Sequence, residues 1–330
     1  MSKFNRLSLE EREEISRLEA QGESIRSIGK ILNRSPSTIC REFKRNRSQN
    51  GKYRAVSAQK RSVRAASSRK LGRRKLIENS ILLREVLAKL RLYWSPEQIA
   101  VYLKRTYNCS SMHISKESIY SYLYVLPRGG LRKELTDCLR RQHVLRRKQH
   151  VRYKGQTANL EDMLSIEERP AEVSDRCVPG HWEGDMIIGG ATEQTALGTL
   201  VERTTRWVFL VPLKNKTAAE VRKAFAREIK KLPKEMRKSL TYDQGREMAE
   251  HKLFTKDTGM QVYFAHPKSP WERGTNENTN ALIRQYFPKD TNFNEVSRYY
   301  IKKAQMQLNQ RPRKTLNWKT PAEAMQELLQ

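Results

Sequence analysis

The feature that most restricts the possible folds is an ordered series of short apolar segments and helical patterns between residues 181 and 286. The segment 181–189 is a short apolar run bounded by glycines, which is typical of a buried strand. The pattern that follows predicts strands at 197–202, 207–213, 239–243 and 260–266, and helices at 217–232 and 273–286. Strand, strand, strand, helix, strand, helix, strand, helix is the order of a ribonuclease-H-like (retroviral-integrase-like) α/β fold.

Three carboxylates occupy particular places in this pattern. Asp185 lies inside the first strand, Asp243 ends the fourth, and Glu277 lies in the second turn of the last helix, so the fold would bring them to one end of the sheet. Three converging carboxylates suit two Mg²⁺ ions, which prefer oxygen ligands and promote phosphoryl transfer. Separations of 58 (243 minus 185) and 34 (277 minus 243) residues are common by chance. The spacing alone therefore does not identify a site.

The first half of the chain is strongly basic. Residues 1–154 hold 37 of the 65 Lys and Arg residues and 13 of the 36 Asp and Glu residues, a net charge of +24, whereas residues 155–330 carry +5. Such a charge repels itself unless a polyanion screens it, and the phosphates of nucleic acids are the usual partner. Association with ribosomes or with a membrane surface is the alternative that the charge alone leaves open.

Residues 1–47 show the pattern of a helix-turn-helix DNA-binding domain. Ser8 is a candidate N-cap with Glu11 in a capping-box arrangement, Gly22 ends the first helix, and Pro36 opens a third helix of small polar and basic residues. A three-helix bundle with a solvated basic face is the alternative. In the helix-turn-helix interpretation the third helix enters the major groove of DNA. The residues predicted to contact DNA are Ser37, Thr38, Arg41, Lys44 and Arg45.

Two further segments precede the α/β pattern. Residues 48–92 include a stretch rich in Arg, Lys, Ser and Ala, which predicts a basic linker or arm along DNA phosphates. Residues 93–150 predict a second helix-turn-helix-like DNA-binding domain, with N-caps at Ser95 and Ser115; a packing role for these helices is the alternative. The residues predicted to contact DNA are Lys116, Ser118 and Tyr122. The chain is thus multi-domain, with all-α modules followed by an α/β domain over 170–330.

Several classes of protein are disfavoured by the same sequence. No apolar run approaches the roughly 20 residues that cross a bilayer, and the first residues lack the apolar core of a signal peptide. We therefore expect a soluble, intracellular protein with no membrane partner. The 4 cysteines are widely spaced, and the 6 histidines form no His-x-x-x-His pair. Any metal must be held by carboxylates.

Three short sequence motifs around the carboxylates resemble those of a known family. They are Gly-His-Trp-Glu-Gly-Asp at 180–185, Leu-Thr-Tyr-Asp-Gln-Gly at 240–245 and Ser-Pro-Trp-Glu-Arg-Gly-Thr-Asn-Glu-Asn at 269–278. They are similar to the DDE transposases of bacterial insertion sequences, above all the insertion-sequence-thirty (IS-thirty) family. Ala281 departs from the family pattern, where Gly is usual, and leaves the triad intact. The resemblance extends over nearly the whole chain, through 39–43, 282–289 and 309–316.

The resemblance implies a metal-dependent enzyme of the bacterial cytoplasm, associated with the nucleoid. It implies that the protein binds double-stranded DNA at the terminal inverted repeats of its element and at the target, cleaves the ends, and joins the 3′-hydroxyl ends to target DNA. The implied cofactor is Mg²⁺ (two ions, with Mn²⁺ as a substitute) held by Asp185, Asp243 and Glu277. A homodimer or larger homo-oligomer is expected, because two ends must be joined.

Two rival functions share this fold. The first is a catalytically silent DNA-binding regulator derived from a transposase, which predicts a damaged triad, whereas the triad here is complete. The second is a ribonuclease or a Holliday-junction nuclease, which fold analogy alone does not exclude. The two predicted DNA-reading modules disfavour a nuclease that recognises structure rather than sequence.

Neighbours of the triad are assigned by their spacing. His181 and Glu183 alternate with Asp185 and share its face of the strand, so both are candidates to support that carboxylate. An ordinary polar strand end is the alternative. Residues at −4, +3 and +7 from Glu277 share its helix face and are predicted to orient it and to grip the scissile DNA strand. They are Arg273, Asn280 and Arg284.

Other residues near the triad are given more ordinary roles. Trp271 is interpreted as a core residue or as a stacking platform for a flipped or frayed terminal base. Glu247 and Glu250 follow Asp243 and are interpreted as solvated or structural.

Overall fold

A computed structural model of the chain describes residues 6–48, 51–68, 72–127, 129–140, 162–190, 196–267 and 269–329. The chain divides into two compact units, Met1–Ser80 and Ile81–Gln330. In the part that the structure describes, no helix combines the length and the apolar character needed to span a bilayer. The predicted second helix-turn-helix domain extends to residue 150, and its last ten residues lie outside the described ranges.

The first unit packs its helices around an apolar core of its own. Its helices are α1 (Leu9–Ala20), α2 (Ile25–Ile31), α3 (Pro36–Asn46), α4 (Ala55–Ser68) and α5 (Gly72–Glu78). Ser8 caps α1 with the predicted capping box to Glu11, and Gly22 follows the helix with a φ of 83°. Its core residues include Ile15, Leu18, Ile28, Ile39, Phe43, Tyr53 and Ala58.

Much of the segment 48–92 is helical, where the sequence predicts a basic linker. Tyr53 and Ala58 pack into the core of the first unit. The buried guanidinium of Arg12 on α1 donates to Gln59 on α4 at 2.6 Å and to Glu42 on α3 at 2.8 Å. A segment with few large apolar residues is therefore ordered by small residues and by polar contacts with one buried cation, which composition does not reveal.

The second unit begins with helices that lead to a sheet. Ser95 and Ser115 act as N-caps, as predicted, and both accept a hydrogen bond from the backbone three residues later. These helices are α6 (Ser80–Arg91), α7 (Pro96–Thr106), α8 (Lys116–Val125), α9 (Gly130–Asp137) and α10 (Glu172–Asp175).

A six-stranded sheet lies at the centre of the described part of the second unit. Its strands are β1 (Leu164–Ser165), β2 (His181–Ile188), β3 (Ala196–Glu202), β4 (Val208–Leu213), β5 (Ser239–Tyr242) and β6 (Gln261–Phe264). They are ordered β1-β6-β5-β2-β3-β4; β2, β3 and β4 are antiparallel, whereas β5 and β6 continue from β2 in parallel. The predicted ribonuclease-H-like order is confirmed, with β1 as an additional edge strand.

Helices cover both faces of this sheet. They are α11 (Ala218–Ile229), α12 (His251–Thr258), α13 (Gly274–Ile283), α14 (Arg298–Asn309) and α15 (Pro321–Leu328). Trp182 of β2 packs in the core with α11 and α12, whereas Ile187 packs with α13 and α14. Because side chains alternate along a strand, the odd-numbered residues Glu183 and Asp185 face α13.

Candidate active site

Two aspartates of neighbouring strands lie close together. Parallel pairing sets Glu183 of β2 opposite Thr241 of β5, so Asp185 and Asp243 both come two residues beyond this pair. The guanidinium of Arg273 bridges the two carboxylates: Nη2 lies 3.0 Å from Asp243 Oδ2 and Nη1 lies 3.6 Å from Asp185 Oδ1. The structure therefore brings two of the three predicted triad residues together.

Gly184 makes this approach of the strands possible. A Cβ at residue 184 would lie 2.6 Å from the ring of Tyr242, which is fully buried and directly precedes Asp243. The ring packs against the backbone of β2 without an intervening side chain. The glycine of the Trp-Glu-Gly-Asp motif thus sets the position of the end of β5, which Asp243 follows.

Arg273 contacts the two aspartates, which the sequence does not predict. The sequence predicts that it orients Glu277 and grips the scissile DNA strand; in the structure the side chain is only 13 % exposed and also donates to the carbonyl of Gly184 at 3.2 Å. The residue ends the short 3-10 turn Pro270–Arg273 that leads into α13. From there it compensates two carboxylates that would otherwise be costly to hold in a partly buried site.

Asp185 is held by several partners. Its Oδ2 accepts a hydrogen bond from Asn280 of α13 at 2.8 Å, and its Oδ1 accepts one from the backbone N–H of Met186 at 2.8 Å. Burial raises the pKa of Asp185 to about 6; nearby Arg273 opposes this rise and Asp243 adds to it. Asn280, predicted to orient Glu277, thus orients Asp185.

Glu277 lies apart from this pair. It is an exposed residue of α13. Among the residues that the structure describes, no three His, Cys, Asp or Glu side chains are grouped so that they could hold a metal ion. Asp185 and Asp243 are thus in place as possible ligands, whereas the third predicted ligand is on the surface of the adjacent helix.

The two aspartates fit a divalent cation. Asp243 Oδ1 is inaccessible to solvent and has no hydrogen-bond partner among the described residues. The only cation paired with these two carboxylates in the described residues is Arg273. Carboxylate oxygens are the ligands that Mg²⁺ prefers, and an oxygen without a partner is available for coordination.

Glu183 joins the strand of Asp185 to the helix of Glu277. It is completely buried, and its Oε2 accepts the backbone N–H of Asn276 at 2.8 Å. Asn276 lies in the first turn of α13, where backbone N–H groups lack helical partners and the helix dipole favours an anion. Glu183 therefore supports the site by holding α13 against β2, rather than by contact with Asp185.

His181 and Arg284 make their hydrogen bonds away from the two aspartates. Buried His181 pairs through Nδ1 with Ser239 Oγ at 2.7 Å and through Nε2 with Glu172 at 3.3 Å, and burial lowers its pKa. Arg284 donates to the carbonyl of Ile188 at 2.8 Å, and burial lowers its pKa as well. Both side chains join β2 to the elements beside it.

Glu247, which the sequence interpretation gives a solvated or structural role, is half-buried near the two aspartates. Burial raises the pKa of Glu247, and the charges of Asp243 and Asp185 raise it further. It lies four residues after Asp243, in the 3-10 turn Arg246–Met248, so proximity to Asp243 follows from its position in the sequence. The core interpretation of Trp271 is wrong, since its side chain is 72 % exposed.

Comparison with known families and proteins agrees with this geometry. Residues 3–46 match the helix-turn-helix domain family, and residues 175–270 match the integrase core domain family. The second match contains Asp185 and Asp243 and ends before Glu277.

Relatives match nearly the whole chain. It is 42 % identical to the transposase for insertion sequence element IS1086 of Cupriavidus metallidurans, over 99 % of this chain and 96 % of the relative. It is 44 % identical to the transposase InsI for insertion sequence element IS30A of Escherichia coli, over 97 % and 83 %. The chain belongs to the IS-thirty family of transposases. This transposase is also 32 % identical to the transposase for IS4351 of Bacteroides fragilis, over 93 % and 91 %.

Solved structures give a weaker likeness to the transposase. The catalytic core domain of BIV integrase is 20 % identical, with a TM-score of 0.36, over 46 % of the transposase and 95 % of that chain. The HTLV-2 integrase catalytic core domain in complex with magnesium is 21 % identical, with a TM-score of 0.36, over 45 % and 97 %. The fold assignment rests on the observed strand order and on the integrase core match.

The third helix of the transposase, α3, presents its predicted DNA-contacting residues to solvent. Arg41, Lys44 and Arg45 are exposed, while Ile39 and Phe43 of the same helix point into the core. The helix-turn-helix prediction for this segment is confirmed by the family match. At the start of the helix, the hydroxyls of Ser37 and Thr38 each lie 2.9 Å from Ser35 Oγ.

The predicted second helix pair of the transposase contacts the C-terminal part of the same unit. Gln98 of α7 donates to the carbonyl of Pro312 at 2.6 Å and accepts from the buried guanidinium of Arg311 at 3.0 Å. Of the residues predicted to contact DNA, Lys116 pairs with Glu97 at 3.3 Å, Ser118 donates its backbone N–H to the cap Ser115, and Tyr122 is half-buried. The packing alternative therefore has direct structural support for α7.

Proposed function

We propose that this transposase binds the terminal inverted repeats of its own insertion sequence, cleaves the ends to leave 3′-hydroxyl groups, and joins these to target DNA. The observation that supports the proposal most directly is the pair Asp185 and Asp243, bridged by Arg273 on adjacent strands of an integrase core. The setting is the bacterial cytoplasm, at the nucleoid. A homodimer or larger homo-oligomer joins the two ends.

Both reactions are in-line displacements at phosphorus and need no covalent intermediate on the protein. Two Mg²⁺ ions, for which Mn²⁺ substitutes, would supply activation of the attacking oxygen and stabilisation of the leaving 3′-oxygen. Asp185, Asp243 and Glu277 would hold them. Glu277 lies apart from the aspartates in the structure, and it would complete the site from α13, the helix that Glu183 holds against β2 through the Asn276 backbone.

Arg273 and Asn280 have supporting roles in the proposal. Asn280 fixes the orientation of the Asp185 carboxylate. Arg273, which bridges the two aspartates, would contact the phosphate of the scissile strand in a site where divalent cations take its place. Arg284 grips the same strand beyond the end of α13.

In this proposal the N-terminal helices recognise the DNA sequence. Ser37 and Thr38 contact base edges, and the cations at 41, 44 and 45 contact bases or phosphates in the major groove. The surface of α8 that carries Lys116, Ser118 and Tyr122 contacts a second part of the terminal repeat.

The experiment is cleavage of labelled DNA that carries the ends of the element, with Mg²⁺ and with EDTA. Wild-type protein should nick the ends only with Mg²⁺, and the Asp243→Asn variant should bind the same DNA without nicking it. Tight binding by the wild type without cleavage in any divalent metal would contradict the proposal and favour a silent regulator. Nicking by Asp243→Asn at the wild-type rate would contradict the assignment of the active site.

A further inference from the structure

A large cleft lies on the second unit, outside the site of the two aspartates. Its volume is about 1060 Å³, and its walls come from α7, the start of β4, α14 and the segment that leads into α15. A volume of this size accommodates a ligand as large as one or a few nucleotides. None of the proposed catalytic residues lines it.

One wall is a face of α14 that the fold does not use. Ile301, Ala304 and Leu308 of this helix are buried against the sheet. The opposite face repeats at helical spacing and carries Tyr299, 76 % exposed, Met306, 55 % exposed, and two exposed lysines. These lysines, Lys302 and Lys303, form no ion pair with any described residue.

The lining is rich in aromatic residues. Of the 5 tryptophans in the chain, half-buried Trp207 and Trp318 and buried Trp94 line this cleft. Half-buried Tyr102 and exposed Tyr299 lie with them. Aromatic faces and rims of this kind are the platforms on which unpaired bases stack, because every base has a π-face.

The cleft is also positively charged. Lys89, Arg105, Lys302 and Lys303 line it, against a single acidic residue, Glu323. Lys89 Nζ lies 4.9 Å from the Trp94 ring centroid, so one cation is already placed over an aromatic wall. A second copy of the chain, with a net charge of +29, is a poor electrostatic partner for such a surface.

We propose that this cleft binds unpaired nucleotides of a DNA strand, with bases stacked on its aromatic residues and phosphates held by Lys302 and Lys303. The inference rests on the proposed function only in taking DNA as the ligand. It places a strand-binding site on a surface formed by the predicted second helix pair and the C-terminal helices.

The test uses the full chain, a short fluorescein-labelled single-stranded oligonucleotide, EDTA to prevent cleavage, and an excess of unlabelled duplex to occupy the helix-turn-helix surface. Tyr299→Ala should weaken binding about tenfold through lost stacking, whereas Tyr299→Phe should retain wild-type affinity. The double variant Lys302→Ala/Lys303→Ala should lower the slope of log affinity against log salt by about 1.4, since two phosphate contacts are lost.

A matched control removes the same charge elsewhere. Lys230 and Lys234 are exposed and lie outside the cleft, so Lys230→Ala/Lys234→Ala should leave affinity for the oligonucleotide unchanged. An equal loss in both double variants, or wild-type affinity in Tyr299→Ala, would overturn the proposal. Sedimentation adds a further outcome: a change of mass in Tyr299→Ala with unchanged affinity would identify an interface between copies and also overturn it.

Failure of the cleft and failure of the proposed function are separable with the same preparations. If wild-type protein cleaves the ends but the cleft variants bind the oligonucleotide normally, the cleft proposal alone is wrong. If the cleft variants lose affinity as expected and wild-type protein cleaves no DNA, the proposed function fails and the cleft proposal is supported. Photo-crosslinking with a 5-iodouracil oligonucleotide should attach it to peptides that contain Tyr299 or Trp318.

Discussion

The two units of the transposase satisfy their buried charges in different ways. In the first unit, buried Arg12 is bonded to Glu42, to Gln59 and to the carbonyl of Leu7, and Tyr53 completes the network through Glu42. In the second unit, buried polar atoms without hydrogen-bond partners among the described residues lie at or beside the aspartates; they belong to Asp243, Asn276 and Asn280. Buried polar groups are normally paired.

This difference separates a structural network of paired polar groups from a site whose polar atoms are available to a ligand. A completed network fixes one arrangement of helices, which suits a module that presents a constant surface to DNA. Unpaired oxygens next to two carboxylates suit a site completed by cations and substrate.

The largest effect is expected at the carboxylate pair. Asp185→Asn should lower the rate of end cleavage by about a thousandfold or more, because one amide oxygen replaces a carboxylate that supports several kcal/mol of charge stabilisation. Binding of the same end DNA should change less than about twofold, since the helix-turn-helix domain lies in the other unit. Single-turnover cleavage and a gel shift on the same DNA measure the two quantities. Asp290→Asn, at an exposed carboxylate, is the control and should match the wild type in both.

Breaking the completed network of the first unit should cost stability rather than chemistry. Arg12→Ala leaves Glu42 buried without its cation, and such a loss typically costs about 3–5 kcal/mol. Hydrogen exchange should accelerate in α1, α3 and α4 and remain at wild-type rates in β2 and β5. Equal acceleration in both units would contradict the separation between them.

Removing charge from the exposed face of α3 should weaken recognition without unfolding the unit. Arg41→Ala should reduce affinity for the terminal repeat by about 1–3 kcal/mol if the side chain contacts a base. The cleavage rate at saturating protein should equal that of the wild type. Arg26→Ala, on the preceding helix, controls for the loss of one positive charge, and the same loss of affinity in that variant would contradict base contact by Arg41.

The smallest effect is a pH dependence of stability in the second unit. Burial lowers the pKa of His181, so the folded protein keeps it neutral while the unfolded chain binds a proton below about pH 6.5. Stability should therefore fall as the pH drops below 6.5, by at most about 1.4 kcal/mol per pH unit from this residue. Urea unfolding at several pH values should show a shallower acid loss for His181→Gln than for the wild type. Identical slopes would contradict this account of His181.

The arrangement of elements was predictable because it depends on local patterns. Apolar runs and capping residues predict β2 to β6 and α1 to α3, and the period of two along β2 predicts that Glu183 and Asp185 share a face. The motifs that resemble the family then identify the two aspartates that the structure brings together.

Other features depend on contacts between distant parts of the chain. Arg273 lies 88 residues (273 minus 185) from Asp185, and no periodicity connects their side chains. The same holds for Glu183, which accepts the Asn276 backbone N–H across the fold. The ordering of α4 around Arg12 depends on buried polar contacts rather than on apolar composition. These are properties of three-dimensional packing that a local pattern does not encode.

The proposed active site requires Asp185, Asp243 and Glu277 to hold divalent cations together, in place of the Arg273 ion pairs. Mn²⁺ binding followed by electron paramagnetic resonance tests it most directly, with end DNA present at equal concentration for each protein. We expect Asp243→Asn and Glu277→Gln each to lose bound Mn²⁺ relative to the wild type, while Asp290→Asn does not. Undiminished Mn²⁺ binding by Asp243→Asn would contradict it.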